Sequence, residues 1–440
     1  MKYAIVTFGC RVNQADSLGL EDTLRLRGAE PAPAGAADLV VINTCSVTAA
    51  ADQGARQVIR RVARDNPSAK IVVTGCYATR EPADLASLPG VIRVVANGDK
   101  ARLVEAIGDW VPGAAVPGSA FEVPGAGFEI TRSSTEPSTR NPAPGTRRPA
   151  PGTRTTYTLR VQTGCEERCA YCIIPSTRGR SQSVPIFAVL EDVRRVERAG
   201  FREVALTGVH LGSYGRDLEP ACSLLDLLRA LDDLPGDTRF RISSLEPMDC
   251  PAAVVDLVAR AGRFEPHFHL PLQHASDRML RLMRRPYTLD AYRHLVGRIR
   301  NRLPHAAIGS DLIAGFPGET DEDFAANEAY LPSSPLTHLH VFPYSDRPGT
   351  AASGMGERVS GAVTRARAAR LRETGATLAR GFCEAQIHTV RPGLTLEDGT
   401  LVVTDNYLKV RIPAGHTRNV RVDVLIEEIG AEIRGRVAQP

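Results

Sequence analysis

Short apolar runs alternate with amphipathic helical stretches along most of this chain, and that alternation constrains the fold more than any other feature. The amino-terminal runs are residues 3–8, 39–43, 71–74 and 92–95. Six further runs are residues 159–163, 204–207, 240–243, 268–272, 308–313 and 339–342. Strands separated by helices form parallel sheets, because each helix returns the chain to the edge where the previous strand began. We therefore predict an α/β protein in which a parallel α/β domain precedes a partial (βα)6 barrel, with the functional site in the loops at the carboxyl ends of the barrel strands.

The 440 residues are enough for about three domains. Residues 112–156 lack periodicity and are rich in Pro, Gly, Ser and Thr, which is typical of a flexible linker. The runs 401–404, 407–412 and 420–426 are separated by turn residues and predict a small β-barrel, which either binds oligonucleotides or caps the larger barrel. The predicted domains are 1–111 (α/β), 112–156 (linker), 157–380 (partial barrel) and 381–440 (small β-barrel).

Three cysteines follow the first predicted barrel strand at close spacing: Cys165, Cys169 and Cys172. A zinc site or an iron–sulfur cluster normally has four ligands, so three thiolates leave one metal position open. A structural zinc site is disfavoured, because no fourth Cys or His follows at ligand spacing. The triad suits three irons of a [4Fe–4S] cluster, whose fourth iron can accept the amino and carboxylate groups of a methionine moiety.

A second set of cysteines, Cys10, Cys45 and Cys76, ends three of the four amino-terminal runs at nearly the same offset. The carboxyl ends of parallel strands meet at one edge of the sheet, which is where open α/β sheets bind ligands. A single buried cysteine is more often a packing residue. The matched position of all three favours a second three-thiolate site.

Small and polar residues at other barrel strand ends are candidates for contacts with a cofactor: Thr207, Gly208, Ser243, Glu246, Gly315 and Gly318. Each is also explained by an ordinary loop or helix start, and Thr320 with Asp323 predicts a capping box after the fifth barrel strand. Two histidines near the fourth strand, His269 and His274, are interpreted as core residues with satisfied hydrogen bonds.

The cysteine triad, with the aromatic Tyr171 before its last cysteine, resembles the signature of the radical S-adenosylmethionine (SAM) superfamily. Outside the linker, the whole layout resembles the methylthiotransferases of that superfamily. The motifs that carry the resemblance are GCRVNQ (9–14), NTC (43–45), GC (75–76), the triad segment 164–180, PLQ (271–273), GFPGET (315–320) and FPYS (342–345). The last domain resembles a TRAM module, an RNA-binding β-barrel.

Within the family, residues 9–14 and 206–215 resemble the branch that acts on N6-threonylcarbamoyladenosine in tRNA. The resemblance implies conversion of this nucleoside, at position 37, to its 2-methylthio derivative by radical C–H activation and sulfur insertion. Alternatives are isopentenyladenosine-37 of tRNA or another methylthiotransferase target and, from a different class, a non-catalytic iron–sulfur protein that binds RNA or senses redox state. The chain departs from the family at His274 and Ala275, where a Ser-Gly pair is common.

The resemblance also implies two [4Fe–4S] clusters. Cys165, Cys169 and Cys172 hold the one that generates a 5′-deoxyadenosyl radical, and Cys10, Cys45 and Cys76 hold the one that presents sulfur. SAM serves both as radical source and as methyl donor.

The implied partners are the tRNA anticodon stem-loop, an electron donor of the flavodoxin, reductase or ferredoxin type, and a sulfur source. A base that reacts inside the barrel has to leave its stack. The net charge of only +4 makes no case for nucleic acid by itself. No apolar run approaches the roughly 18 residues of a membrane span, and cysteines in tight motifs suit a reducing compartment, so we expect a cytoplasmic protein without a membrane partner.

Overall fold

A computed structural model describes residues 1–108 and 155–438 of the chain. These residues form two compact units. The first contains 1–108 and Ser176–Arg178, and the second contains 155–175 and 179–438. All of the predicted linker except residues 155 and 156 lies outside the described residues, and the four-domain division stays a prediction.

The first unit is built on a five-stranded parallel sheet with the strand order β2-β1-β3-β4-β5. Its strands are β1 (Lys2–Thr7), β2 (Glu30–Pro31), β3 (Leu39–Thr44), β4 (Lys70–Gly75) and β5 (Val91–Val95). Its helices are α1 (Arg11–Leu26), α2 (Ala49–Asp65), α3 (Cys76–Arg80), α4 (Pro82–Ala86) and α5 (Leu103–Ala106). Alternate residues of β3 join two different apolar clusters, so both faces of the sheet are covered.

The second unit begins with two three-stranded parallel sheets, ordered β10-β9-β6 and β11-β12-β13, which confirm the six predicted barrel strands. An isolated parallel bridge pairs Phe240 of β10 with Phe264, three residues before β11 begins. The strands are β6 (Thr156–Arg160), β7 (Gln162–Thr163), β8 (Gln182–Ser183), β9 (Glu203–Thr207), β10 (Arg239–Ile242), β11 (His267–His269), β12 (Ala307–Ala314) and β13 (His338–Pro343). The predicted run 159–163 is split, because β7 leaves the sheet to pair with β8 in an antiparallel ladder.

Helices separate the barrel strands as the sequence predicts. They are α6 (Ile174–Arg178), α7 (Ile186–Arg198), α8 (Leu224–Asp232), α9 (Ala252–Arg260), α10 (Asp277–Leu282), α11 (Leu289–Arg302), α12 (Asp321–Tyr330) and α13 (Gly361–Glu384). The predicted capping box is present, since Thr320 Oγ1 accepts from the Asp323 amide and the Asp323 carboxylate accepts from the Thr320 amide. This box fixes the start of α12 directly after the glycine-containing loop 315–318.

A closed five-stranded barrel ends the second unit, in the order β14-β15-β16-β18-β17. Its strands are β14 (Val390–Leu396), β15 (Leu401–Thr404), β16 (Lys409–Arg411), β17 (Arg421–Ile429) and β18 (Ile433–Val437). The buried Arg241 of β10 donates to the carbonyl oxygen of Asp405 at 2.9 Å, and its guanidinium lies 4.7 Å from the ring centre of Tyr407. The 404–407 turn therefore packs against the partial barrel, in agreement with the interpretation of the small barrel as a cap.

Candidate active site

The first cysteine triad lies in the loop between β7 and α6, and backbone contacts hold this loop in shape. The Cys165 amide donates to the Gly179 carbonyl at 3.0 Å, and the Cys172 amide donates to the Cys169 carbonyl at 3.1 Å. Gly164 has φ +74°, and a Cβ atom there would lie 1.8 Å from the carbonyl oxygen of Arg180. Only glycine fits at position 164, because the loop closes tightly there against the backbone of Arg180.

The triad thiols interact electrostatically with one another and are partly buried. Burial raises the pKa of Cys172 to about 12, and the charges of Cys169 and Cys165 add to the effect. Burial also raises the pKa of Cys169, although Arg285 opposes it. Thiols in such surroundings become thiolates when a metal binds them. Three adjacent thiols with a cation beside them fit a [4Fe–4S] cluster with one open iron.

Arg285 supplies that cation, and its role is not visible in the sequence. Its Nη1 donates to the Cys169 sulfur at 3.1 Å, and its Nε donates to the Tyr287 hydroxyl at 3.0 Å. It also pairs with the carboxylate of Glu246. Glu246 thus lies near the triad, where it holds the arginine that contacts a triad cysteine.

A histidine and an aspartate form a second polar contact with the triad. His210 Nδ1 lies 3.8 Å from the Cys165 sulfur, and its Nε2 lies 2.6 Å from Asp249. Burial acts to lower the pKa of His210, but the hydrogen bonds to Asp249 and Cys165 outweigh it and raise that pKa to about 10. His210 is therefore a positive charge beside Cys165, and it too was missed by the sequence analysis.

The remaining predicted cofactor residues lie at the carboxyl ends of β9, β10 and β12. Thr207 is buried at the end of β9, and a Cβ atom at Gly208 would lie 2.9 Å from the side-chain oxygen of Gln162. The hydroxyl oxygen of Ser243 is buried and has no hydrogen-bond partner among the residues that the structure describes. A buried hydroxyl without a partner is unfavourable, which makes Ser243 a good candidate for a ligand contact.

Gly315 and Gly318 have a clear structural role in the loop after β12. Their φ angles are +75° and +82°, and a Cβ atom at Gly315 would lie 2.2 Å from the Thr364 hydroxyl. Phe316, between them, makes an edge contact with Tyr171 at a ring-centre distance of 6.4 Å. The loop therefore packs directly against the triad loop.

In the first unit, the second cysteine set gathers at the carboxyl edge of the sheet. Cys10 precedes α1, Cys45 follows β3 and Cys76 begins α3. Gly9 has φ +89°, and a Cβ atom there would lie 2.7 Å from the Cys45 sulfur. Burial raises the pKa of Cys45 to about 11, with Cys10 and Cys76 contributing to the rise. The structure thus brings the three thiols together.

The motif at 9–14 is explained by Asn13. Its side-chain amide donates to the carbonyl oxygens of Phe8 at 2.8 Å and Thr44 at 2.9 Å. Phe8 begins the loop that leads from β1 to Cys10, and Thr44 directly precedes Cys45. The Asn13 side chain therefore joins the segments that carry two of the three thiols.

Two buried basic side chains lie beside this second set. Lys100 Nζ lies 2.9 Å from Asp16, and Arg178 lies 3.2 Å from the same carboxylate. Arg178 also interacts electrostatically with Cys76 and Cys10, so its positive charge offsets part of the charge of nearby thiolates. Burial lowers the pKa of Lys100. Neither residue was among the predicted site residues.

His274 is a core histidine, as the sequence analysis expects. It is fully buried, and its Nε2 lies 3.1 Å from Glu319 and 3.0 Å from the Asn327 amide. The imidazole of His274 is thus held inside a buried polar network. Elsewhere, no helix within 1–108 or 155–438 combines the length and apolar character needed to cross a membrane.

Comparison with known proteins bears on both units. Residues 2–97 match the family described as "Uncharacterized protein family UPF0004", and residues 159–329 match the Radical SAM superfamily. A solved structure of TsrM, a radical SAM methyltransferase from Kitasatospora setae, has a TM-score of 0.54 and 19% identity over 80% of this chain and 75% of that chain. At this identity, the likeness shows the fold alone.

Two curated relatives are more informative. "Threonylcarbamoyladenosine tRNA methylthiotransferase MtaB" of Aquifex aeolicus is 34% identical over 93% of this chain and 96% of its own length. "Ribosomal protein uS12 methylthiotransferase RimO" of Roseiflexus is 35% identical over 82% of this chain and 78% of its own length. The chain therefore belongs to the radical SAM methylthiotransferase family, and it resembles a threonylcarbamoyladenosine tRNA member over nearly its whole length.

Proposed function

We propose that the protein is a tRNA methylthiotransferase that converts N6-threonylcarbamoyladenosine at position 37 to its 2-methylthio derivative. The observation that carries the proposal is the presence of two separate sets of three adjacent thiols, at strand ends of two different parallel β-structures. A radical enzyme that only abstracts hydrogen needs one such set. A second set suits an enzyme that also supplies sulfur.

Cys165, Cys169 and Cys172 are the proposed ligands of the radical-generating cluster. When bound, this cluster and SAM supply a radical able to take hydrogen from an unactivated C–H bond. The proposed SAM contacts are Thr207, Gly208, Ser243, Glu246, Gly315 and Gly318. Ser243 is supported by its buried hydroxyl, which has no hydrogen-bond partner among the described residues, and Glu246 by its pairing with Arg285, which contacts Cys169.

Cys10, Cys45 and Cys76 are the proposed ligands of the second [4Fe–4S] cluster, which would present sulfur for methylation by a further SAM. Asn13 holds two of their loops together, and Arg178 offsets part of the negative charge of the thiolates. With these neighbours, the three cysteines could bind a metal as thiolates although two of them are buried.

The proposed domains are the α/β domain 1–111, the linker 112–156, the radical SAM barrel 157–380 and the TRAM-like barrel 381–440. The proposed partners are the tRNA anticodon stem-loop, a flavodoxin, reductase or ferredoxin-type electron donor, and a sulfur source, and the proposed location is the cytoplasm. Contacts of the last barrel with the RNA backbone would weaken as salt rises, because they release counterions.

The nucleoside is tested in a bacterial strain that lacks its own threonylcarbamoyladenosine methylthiotransferase. Expression of this protein should restore the methylthiolated nucleoside in total tRNA, as measured by mass spectrometry, and a Cys169→Ala variant should not. If isopentenyladenosine is the substrate instead, the protein should restore methylthiolated isopentenyladenosine in a strain that lacks the isopentenyladenosine methylthiotransferase, and it should not restore methylthiolated threonylcarbamoyladenosine. A folded protein with both cysteine sets loaded that never cleaves SAM would instead support the non-catalytic alternative.

A further inference from the structure

Three metal-ligating side chains meet on one wall of the partial barrel, and none of them is a cysteine. They are His269 of β11, Asp311 of β12 and His340 of β13. In the sheet register, Gly309 lies beside His269 and Asp311 lies beside His340. Because side chains two residues apart on a strand share a face, all three project from the same face of the sheet.

That face is the inner one. Ser310, the neighbour of Asp311, projects to the opposite face, where its hydroxyl lies 3.1 Å from the Tyr292 hydroxyl of α11. The helices therefore cover the face that carries Ser310. The side chains of His269, Asp311 and His340 are 14%, 23% and 54% exposed, so the cluster is accessible from the lumen of the partial barrel.

The distances within the cluster suit a metal ion. Asp311 Oδ1 lies 3.0 Å from His269 Nε2 and 3.1 Å from His340 Nδ1, and the two nitrogens are 3.3 Å apart. Zinc bonds of about 2.0–2.1 Å place neighbouring ligand atoms of a tetrahedron about 3.3 Å apart. Two imidazoles and one carboxylate are also the ligand types of open transition-metal sites.

A further contact orients one of the histidines. His269 Nδ1, the nitrogen that does not face Asp311, lies 3.0 Å from the Ser244 hydroxyl. Histidines that bind metals through one nitrogen usually hydrogen-bond through the other, which fixes the ring and its tautomer. Gly309 leaves space for the ring of His338 on the neighbouring strand, because a Cβ atom at position 309 would lie 2.1 Å from that ring.

We propose that His269, Asp311 and His340 bind a first-row divalent transition-metal ion, with Zn²⁺ as the representative, and leave its remaining positions open toward the barrel lumen. The site uses none of the six cysteines assigned to the clusters and goes beyond the proposed methylthiotransferase reaction. In the absence of an ion, Asp311 would accept hydrogen bonds from both imidazoles. The two states differ in metal content, which can be measured.

The test uses the anaerobic full-length protein with its iron–sulfur clusters reconstituted. After chelator treatment and equilibration with Zn²⁺, zinc and iron per chain are measured in the wild type and in Asp311→Asn, His340→Gln and His338→Gln. His338→Gln is the matched control, because its ring neighbours the cluster, 5.4 Å from that of His340, but gives no ligand atom. The wild type and this control should hold one more zinc per chain than the other two variants, with equal iron in all four.

X-ray absorption at the zinc edge supplies an independent readout. The proposal predicts nitrogen and oxygen neighbours without sulfur. Equal zinc in all four proteins, equal loss in the His338 control, or sulfur neighbours that indicate zinc in a cysteine site would each overturn it.

Discussion

At the scale of single residues, each cysteine set has buried basic side chains close to its thiols. Arg285 and His210 contact the first triad, and Arg178 with Lys100 lies beside the second set. Burial opposes ionisation of a thiol, so a thiolate in these positions needs a compensating charge. Both sites therefore have a basic side chain beside their thiols, although they lie in different units of the chain.

Arg285→Gln tests this role at the first triad. Loss of the positive charge beside Cys169 should make the cluster harder to reduce, because the reduced cluster carries one more negative charge. We expect the potential to fall by up to about 60 mV, equivalent to a tenfold change in a one-electron equilibrium. A redox titration followed by electron paramagnetic resonance measures it. Arg281→Gln, at an exposed position four residues earlier, is the control, and an unchanged potential in Arg285→Gln would refute the assignment.

A buried carboxyl gives a prediction for pH. Burial is the main cause that raises the pKa of Glu265 to about 7 from an ordinary 4.5, although Arg241 opposes it. Such a carboxyl has a higher pKa in the folded state than in the unfolded state. At pH values between these two pKa values, the folded state therefore binds more protons than the unfolded state. Its contribution to stability is therefore fully present below about pH 4.5 and is lost as pH rises through about 7.

Glu265→Gln removes this pH dependence, because the neutral amide resembles the protonated acid. We expect the variant to be more stable than the wild type at pH 8, by up to about 3 kcal/mol, and nearly equal to it at pH 5. Chemical denaturation at the two pH values measures the difference. A variant destabilised equally at both would show that Glu265 is held in its ionised form.

At the scale of elements, the ends of the strands position the cysteines of the second set. Gly75 ends β4 with φ +103°, and a Cβ atom there would lie 2.2 Å from the carbonyl oxygen of Thr44. The close approach of these two strand ends brings Cys76 next to Cys45. The glycine before each of Cys10 and Cys76 is thus a requirement of the site geometry.

Gly75→Ala should therefore disturb the second cysteine set and spare the first. We expect reconstituted protein to lose up to about half of its iron, since two four-iron clusters are proposed, while it still cleaves SAM. Gly19→Ala is a matched control inside α1, because a Cβ atom there meets nothing within 4 Å. Wild-type iron content in Gly75→Ala would contradict this account.

The strands also show how much of the fold could be predicted from the sequence. The ten α/β runs are strands because their apolar residues are contiguous, whereas four strands were not predicted. Glu30–Pro31 and Gln182–Ser183 are too short to form a run, β14 is interrupted by Pro392 and Gly393, and β18 alternates apolar residues with arginines.

The functional residues divide in the same way. The cysteines were predictable because their spacing and strand-end positions are local properties. Arg285 was not, because it reaches Cys169 across 116 residues and only the fold brings the two together. His269 was interpreted as a core residue, since one histidine near a strand gives no indication of the partners on the next two strands.

At the scale of the whole molecule, the small carboxyl-terminal barrel has a structural function beside its proposed binding of RNA. Arg241 is only 1% exposed and pairs with Glu203 at 2.9 Å, while the turn after β15 supplies carbonyl oxygens to its other side. A buried arginine without such partners would be strongly destabilising. The barrel strands and the cap are thus energetically linked within the second unit.

Radical formation is the proposed role of one cysteine set, and sulfur supply is the proposed role of the other. An anaerobic reaction with tRNA that carries threonylcarbamoyladenosine distinguishes the two roles. The proteins compared are the wild type, Cys169→Ala, Cys76→Ala and, as a control outside both sets, Cys383→Ala. Mass spectrometry of 5′-deoxyadenosine and of the methylthiolated nucleoside in the same samples is the most direct test. We predict both products from the wild type and the control, neither from Cys169→Ala, and only 5′-deoxyadenosine from Cys76→Ala. Methylthiolated nucleoside at the wild-type yield from Cys76→Ala, or none from the wild type, would contradict the account.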